Sequence, residues 1–196
     1  YYMSLNYGGM EVFLADTTGK VNLLSGSQPQ LDGLKLSENG KKAAYLDTDA
    51  NTGDTILVEI ELGKEKAETV ATNVQSFGYI GNTLIYYFDY TEGVGTLGAA
   101  GSKTTIANAS GVQFTEDAVY YVADADAATG NGELRAWDGK TETAIAKDVF
   151  AFQYKENGKL VYIGKYDVNA GVGDLYYYDG KEARKLDTGI TAIFIY

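Results

Sequence analysis

A strand–turn–strand unit with glycine followed closely by lysine in its turn recurs at a near-regular interval along this chain. It stands at Thr18-Gly19-Lys20, Leu62-Gly63-Lys64, Gly101-Ser102-Lys103, Asp138-Gly139-Lys140 and Asp179-Gly180-Lys181. The lysines are 37 to 44 residues apart, a spacing that marks repeated modules of a few short strands each. Strand-like runs precede each turn, at Glu11–Ala15, Thr55–Ile60, Thr96–Ala100, Glu133–Trp137 and Asp174–Tyr178. Others follow it, at Val21–Leu24, Ala67–Ala71, Thr104–Ala107, Thr141–Ala146 and Ala183–Leu186. Asp179-Gly180 sits between two such runs and reads as a type I′ hairpin turn, because Gly accepts the positive φ that turn requires.

Two further strands lie upstream in each module. One is tyrosine-rich: Tyr2–Tyr7, Ala43–Asp47, Leu84–Asp89, Val119–Ala123 and Leu160–Gly164. The other is shorter: Gly33–Leu36, Ser76–Ile80, Gln113–Thr115 and Phe150–Tyr154. Named outward as a, b, c and d, these four strands make one blade of a β-propeller. The first module lacks strand a, while Ala192–Tyr196 is left over at the end with strand a character. The expected fold is therefore all-β, a five-bladed β-propeller with four antiparallel strands per blade. It is closed by pairing of the C-terminal strand with the N-terminal blade, since an open ring would expose unpaired strand edges. The expected blades are about 1–29 plus 191–196, 30–74, 75–112, 113–149 and 150–190, forming a single domain.

Composition agrees with short strands and turns. The 196 residues include 17 Tyr and 24 Gly but one Pro, and no apolar run approaches the ~18 residues of a membrane span. With no Cys or His, the chain lacks disulfides, thiolate metal sites and Ser–His or Cys–His nucleophile pairs. A net charge of −11 opposes binding to nucleic acid or to an anionic membrane surface. The start at Tyr1-Tyr2, inside a strand-like run, reads as an excised domain or mature product, a monomeric part of a larger protein.

Leu36–Leu46, LSENGKKAAYL, resembles the strand a–turn–strand b signature of TolB-type propeller repeats. Ser37, Gly40, Lys41, Ala44 and Tyr45 match it, and Glu38-Asn39 replaces the family's Pro-Asp. Leu175–Leu186 is similar to repeats in uncharacterised propeller domains of Gram-positive bacteria. The resemblance implies a propeller and a bacterial, extracytoplasmic or cell-envelope setting. It implies no activity, because propellers host many functions.

The candidate chemistry lies on the loops joining strands b and c, which gather aspartates on one face. Tyr7, Asp89, Tyr90, Glu92 and Asp167 are the candidate binding residues. Asp47, Asp49 and Asn51 alternate as in a calcium loop, and Asp124 and Asp126 form a looser version. Ca²⁺ is thus the one cofactor considered, although Gly53 stands one place late for that motif. An enzyme would need carboxylates on the inner strands, as in glycoside hydrolases. Those strands carry none; Asp32, Glu116 and Asp117 only flank them. The tyrosines of strands b and c, and Trp137, are expected to pack between blades. The resulting expectation is a non-catalytic binding or scaffolding module for a protein or glycan partner. The alternatives are a glycoside hydrolase-like propeller and a calcium-stabilised structural domain.

Overall fold

The computed structural model describes residues 2–5, 12–15, 21–24, 30–64 and 67–194, with residues before 33 described by backbone alone. Among the described residues there are strands and no helix. In chain order these are β1 (Tyr2–Leu5), β2 (Val12–Ala15), β3 (Val21–Leu24), β4 (Gln30–Leu36), β5 (Lys42–Thr48), β6 (Thr55–Glu61), β7 (Ala67–Thr72), β8 (Val74–Ile80) and β9 (Thr83–Thr91). They continue with β10 (Val94–Ala99), β11 (Thr105–Phe114), β12 (Val119–Ala123), β13 (Gly132–Trp137), β14 (Glu142–Glu156), β15 (Lys159–Asp167), β16 (Val172–Tyr178) and β17 (Ala183–Ile190). Hydrogen bonds order them strictly by sequence into sheets β1–β3, β4–β7 and β8–β17. The chain divides into two compact units, Tyr1–Tyr90 with Leu97–Thr105, and Thr91–Thr96 with Ile106–Tyr196.

In the first unit β5 is buried on both faces. Ala43 and Tyr45 pack with Val58 and Ile60 on one side. Ala44 packs with Leu57, Val74, Phe77 and Leu84 on the other. A strand buried on both sides reads as a continuous apolar run rather than an alternating one, which is why KAAYL carries no polar alternate. The second unit repeats the arrangement. Tyr120, Val122 and Leu134 of β12–β13 pack on Val149, Phe152, Leu160 and Tyr162 of β14–β15. The tyrosines extend this core as predicted: Tyr120 tilts against Tyr154 at 5.0 Å, Tyr162 stacks on Tyr176 at 4.9 Å, and Trp137 is buried.

The residues matching the TolB-type signature serve a turn. Ser37, buried, accepts the Lys42 N–H at 3.0 Å through its hydroxyl. Its neighbours dock on the β8–β9 turn, with Glu38 N–H donating to Gly81 O at 2.9 Å and Asn39 N–H to Asn82 Oδ1 at 3.0 Å.

Three features differ from the sequence expectation. First, β4–β7 is a separate four-stranded sheet, but the expected modules after it are not separate: β8–β17 is one ten-stranded sheet. β11 and β14 each run without a loop from one hairpin into the next. A single left-handed residue, Asn108 (φ 55°) or Asp148 (φ 55°), together with a register shift, bends the strand there. A bulge re-aims a strand without ending its ladder, so the expected break leaves no gap. Second, the expected closure is not formed among the described residues. Residues 192–194 are not strand, and β1 is paired with β2 alone. Phe194 is 77 % exposed, so no packing offsets the entropy of ordering this segment. Residues 195 and 196 lie outside the described residues. Third, Asp179-Gly180 is not a type I′ turn, because Gly180 has positive φ and Asp179 does not. The Asp179 carboxylate accepts the Lys181 and Glu182 N–H groups at 2.9 Å each, and Asp179 N–H donates to Glu182 O at 3.2 Å, closing a four-residue loop. Two hairpin pairs have both φ values positive, as type I′ demands: Glu92-Gly93 between β9 and β10, and Asn157-Gly158 between β14 and β15.

Candidate functional site

Three of the b–c loops share one construction. In Asp49–Gly53, Asp126–Gly130 and Asp167–Gly171 the glycine N–H donates to the aspartate carbonyl four residues back, at 2.7–2.8 Å. Each glycine has positive φ. Each aspartate Oδ1 accepts two N–H groups from within its loop: Asn51 and Thr52 for Asp49, Ala128 and Thr129 for Asp126, Asn169 and Ala170 for Asp167. This is the Asx-turn chemistry of short polar residues. Backbone bonds from Asn51 and Thr52 hold the Asp49 carboxyl below its ordinary pKa. The Thr129 backbone, then the Thr129 hydroxyl and the Ala128 backbone, do the same for Asp126.

The late glycine that spoils the calcium motif is thus the residue that closes this loop. Asp47 is buried and Asp49 half-buried, while Asn51, Asp124 and Asp126 are exposed. Among the described residues no group of three or more Asp or Glu gathers as a metal site would require. Asp47 Oδ1 accepts the Thr48 N–H at 2.8 Å.

Asp89 and Asp124 occupy equivalent left-handed positions facing the strand junctions. Asp89 N–H donates to Asn73 O at 3.1 Å, and Asn73 Nδ2 donates to Asp89 Oδ1 at 3.3 Å. Asn108 and Asp124 repeat this with the same distances. Asp148 and Lys165 are left-handed too. Tyr90 is 49 % exposed and meets Tyr87 edge-on at 5.8 Å. Glu92 and Asp167 are exposed. Tyr7 lies outside the described residues, and so does the side chain of Asp32. Glu116 and Asp117 are exposed on the β11–β12 turn.

Two residues missed by sequence reasoning stand among these loops. Phe150 at the bend of β14 and Tyr166 near the end of β15 stack face to face, 3.9 Å apart and 9° from parallel. Asn131, which follows the Asp126–Gly130 loop, grips Tyr166 by both backbone groups. Its Nδ2 donates to Tyr166 O at 2.9 Å and its Oδ1 accepts the Tyr166 N–H at 3.2 Å. Gln113 does the same one layer inward, to Phe152 O and Tyr154 N–H at 3.0 Å each. Phe150 and Asn131 carried no sequence signal, because their partners lie far along the chain.

No family model matches the sequence, and no curated protein does. Solved structures do. The β-propeller domain of the Trilobed protease from Pyrococcus furiosus, described with an open velcro topology, superposes at TM-score 0.53 and 14 % identity. The match covers 94 % of this chain and 66 % of that one. Pyrococcus horikoshii acylaminoacyl peptidase matches at TM-score 0.51 and 14 % identity, over 93 % of this chain and 36 % of its own. The tricorn protease matches at TM-score 0.52 and 12 % identity, over 99 % and 26 %. TolB from Acinetobacter baumannii aligns at TM-score 0.46, too low to argue from, so the TolB-type resemblance rests on the residues of Leu36–Leu46. The chain therefore spans about two thirds or less of the length of these structures, and at such identities they speak for the fold alone. What they add to the antiparallel, helix-free sheets is the architecture: this chain has a β-propeller-like fold.

Proposed function

We propose that this chain is a non-catalytic binding module, a propeller of repeated four-stranded blades that recognises a basic protein segment through its b–c loops. One observation carries the reading. The loop aspartates use Oδ1 to hold their own turns, while Oδ2 of Asp126 and of Asp167 makes no hydrogen bond or ion pair among the described residues. Ionised oxygens fixed in position and open to solvent attract cations, and the net charge of −11 favours approach of a basic partner. Five blades with limits near 30, 75, 113 and 150 remain the organisation that the repeat spacing supports. Asp89, Tyr90 and Glu92 on the β9–β10 hairpin are further candidate binding residues of the same kind. The module belongs to a longer extracytoplasmic or envelope protein, and no described helix is long and apolar enough to cross a membrane.

The test is fluorescence anisotropy with a labelled oligo-arginine peptide, an oligo-glutamate peptide and a neutral oligosaccharide, at two salt concentrations. The cationic probe alone is expected to bind, and more weakly at higher salt. Equal binding of all three probes, or hydrolysis of the oligosaccharide, would defeat the proposal.

A further inference from the structure

We infer that the stacked Phe150–Tyr166 pair and the two acidic loops beside it form a seat for the guanidinium of an arginine in a partner peptide. The inference rests on the binding-module reading and gives it a place. Phe150 is 36 % exposed and Val168, two residues past Tyr166, 47 %. Aromatic surface at a loop end, with no fold to hold up beyond it, is a feature of recognition sites.

The loops reach the pair through their closing glycines. A Cβ on Gly130 would stand 3.0 Å from the Phe150 ring, and one on Gly171 would stand 3.9 Å from the Tyr166 hydroxyl. Only glycine lets the Asp126 loop lie so close to the ring while holding φ at +71°. The same glycines donate to the Asp126 and Asp167 carbonyls, so both carboxylates are tied to loops that touch the aromatic pair. Asn131 fixes the backbone of Tyr166 from the first of these loops. The seat is thus preorganised, and binding would order little that is not already ordered.

Ring faces and open carboxylate oxygens together select the occupant. A planar guanidinium stacks on an aromatic face and donates in pairs to carboxylate, whereas an ammonium does so as a point charge. The predicted order of preference is arginine, then lysine, with uncharged citrulline excluded.

The experiment is a ¹⁵N-correlation NMR titration of the chain with a blocked Gly-Arg-Gly-Arg-Gly peptide, its lysine and citrulline counterparts, and a neutral oligosaccharide. The arginine peptide should shift the amides of Gly130, Asn131, Phe150, Tyr166 and Gly171. The lysine peptide should bind several-fold more weakly and the citrulline peptide not at all. Phe150→Ala should weaken binding at least fivefold. So should the double change Asp126→Asn with Asp167→Asn, which keeps the Oδ1 acceptors of both turns and therefore the loop fold. Arginine-dependent shifts confined to Asp89–Glu92 would overturn this seat while leaving a cation-binding module. Oligosaccharide shifts at the seat without peptide shifts would overturn the arginine. Silence with every probe would remove both the seat and the module.

Discussion

The Asn131 clamp offers a direct measure of what holds the candidate surface in place. Asn131→Leu keeps the side chain's bulk and removes both bonds to Tyr166. Each is worth about 1 kcal/mol net, and the half-buried Tyr166 groups lose their partner, so the expected loss is about 2–3 kcal/mol. In a chain of this size that lowers Tm by about 4–12 °C. Asn131→Asp separates the two bonds. It retains an acceptor for the Tyr166 N–H but turns an oxygen toward the Tyr166 carbonyl that Nδ2 now serves. Ionised, that oxygen repels the carbonyl; protonated, it donates to it. Folding therefore raises the pKa of the introduced carboxyl above its unfolded value of about 3.9. A group so raised contributes stability that is present below the unfolded pKa and lost as pH rises through the folded one. The deficit of Asn131→Asp relative to the parent should be small near pH 3.5 and largest at neutral pH. Thermal melts of parent and both variants at the two pH values measure this. Equal deficits of Asn131→Asp at both values, or an Asn131→Leu variant within about 1 °C of the parent, would refute the reasoning.

Three further outcomes follow from the same structure. Gly132→Ala should destabilise by about 1–3 kcal/mol or more by overpacking, since its Cβ would stand 2.4 Å from the Ala123 carbonyl oxygen; urea titration reads the change, and a neutral result contradicts the close approach. Two tyrosines should respond oppositely to removal of the hydroxyl. Tyr79 Oη donates to Glu59 Oε1 at 2.8 Å, and Lys42 Nζ holds Glu59 Oε2 at 2.8 Å, so Tyr79→Phe should cost about 1.5–3 kcal/mol. Burial, with the Glu142 carboxylate second, pushes the Tyr121 hydroxyl up, yet its Oη meets no partner in hydrogen-bond geometry. Tyr121→Phe should therefore be neutral or stabilising, and a clear loss in its melt would show that Glu142 accepts that hydrogen. Finally, backbone bonds from Thr141 and Lys140 lower the Asp138 carboxyl below 3.8, and those from Glu182 and Lys181 lower Asp179. Stability from such groups is present above the unfolded pKa and lost as pH falls through the folded one, so Asp138→Asn with Asp179→Asn should flatten the acid limb of Tm against pH, and an unchanged limb argues against it.

Much of this protein is legible locally. The turns at Gly63, Gly101, Gly139 and Gly180 all carry positive φ, and β4 to β17 fall close to where the repeat placed strands, the segment from Ala192 excepted, because turn geometry and two-sided burial depend on residues near in sequence. The aspartates of the b–c loops were legible as polar turn residues, and the hydrogen bonds show backbone N–H groups as partners of Oδ1 in Asp49, Asp126 and Asp167. Local patterning alone put a type I′ turn at the wrong place, since Asp179, Glu92 and Asn157 all precede glycine, and the carboxylate bonds of Asp179 hold its turn in another form.

What the sequence by itself determined is the all-β character, the spacing of the repeats, and the exclusion of His- and Cys-dependent chemistry. Only the tertiary structure decided that Asn73, Asn108 and Asp148 carry strands around a bend, that residues 192–194 stay out of any sheet, and that Phe150 meets Tyr166 beside two acidic loops. Those outcomes depend on which hairpin packs on which, and on amide bonds such as Asn131 to Tyr166 that join residues distant along the chain. A side chain's local neighbours specify its backbone conformation, but its partner across the core is chosen by the free energy of the whole packed unit.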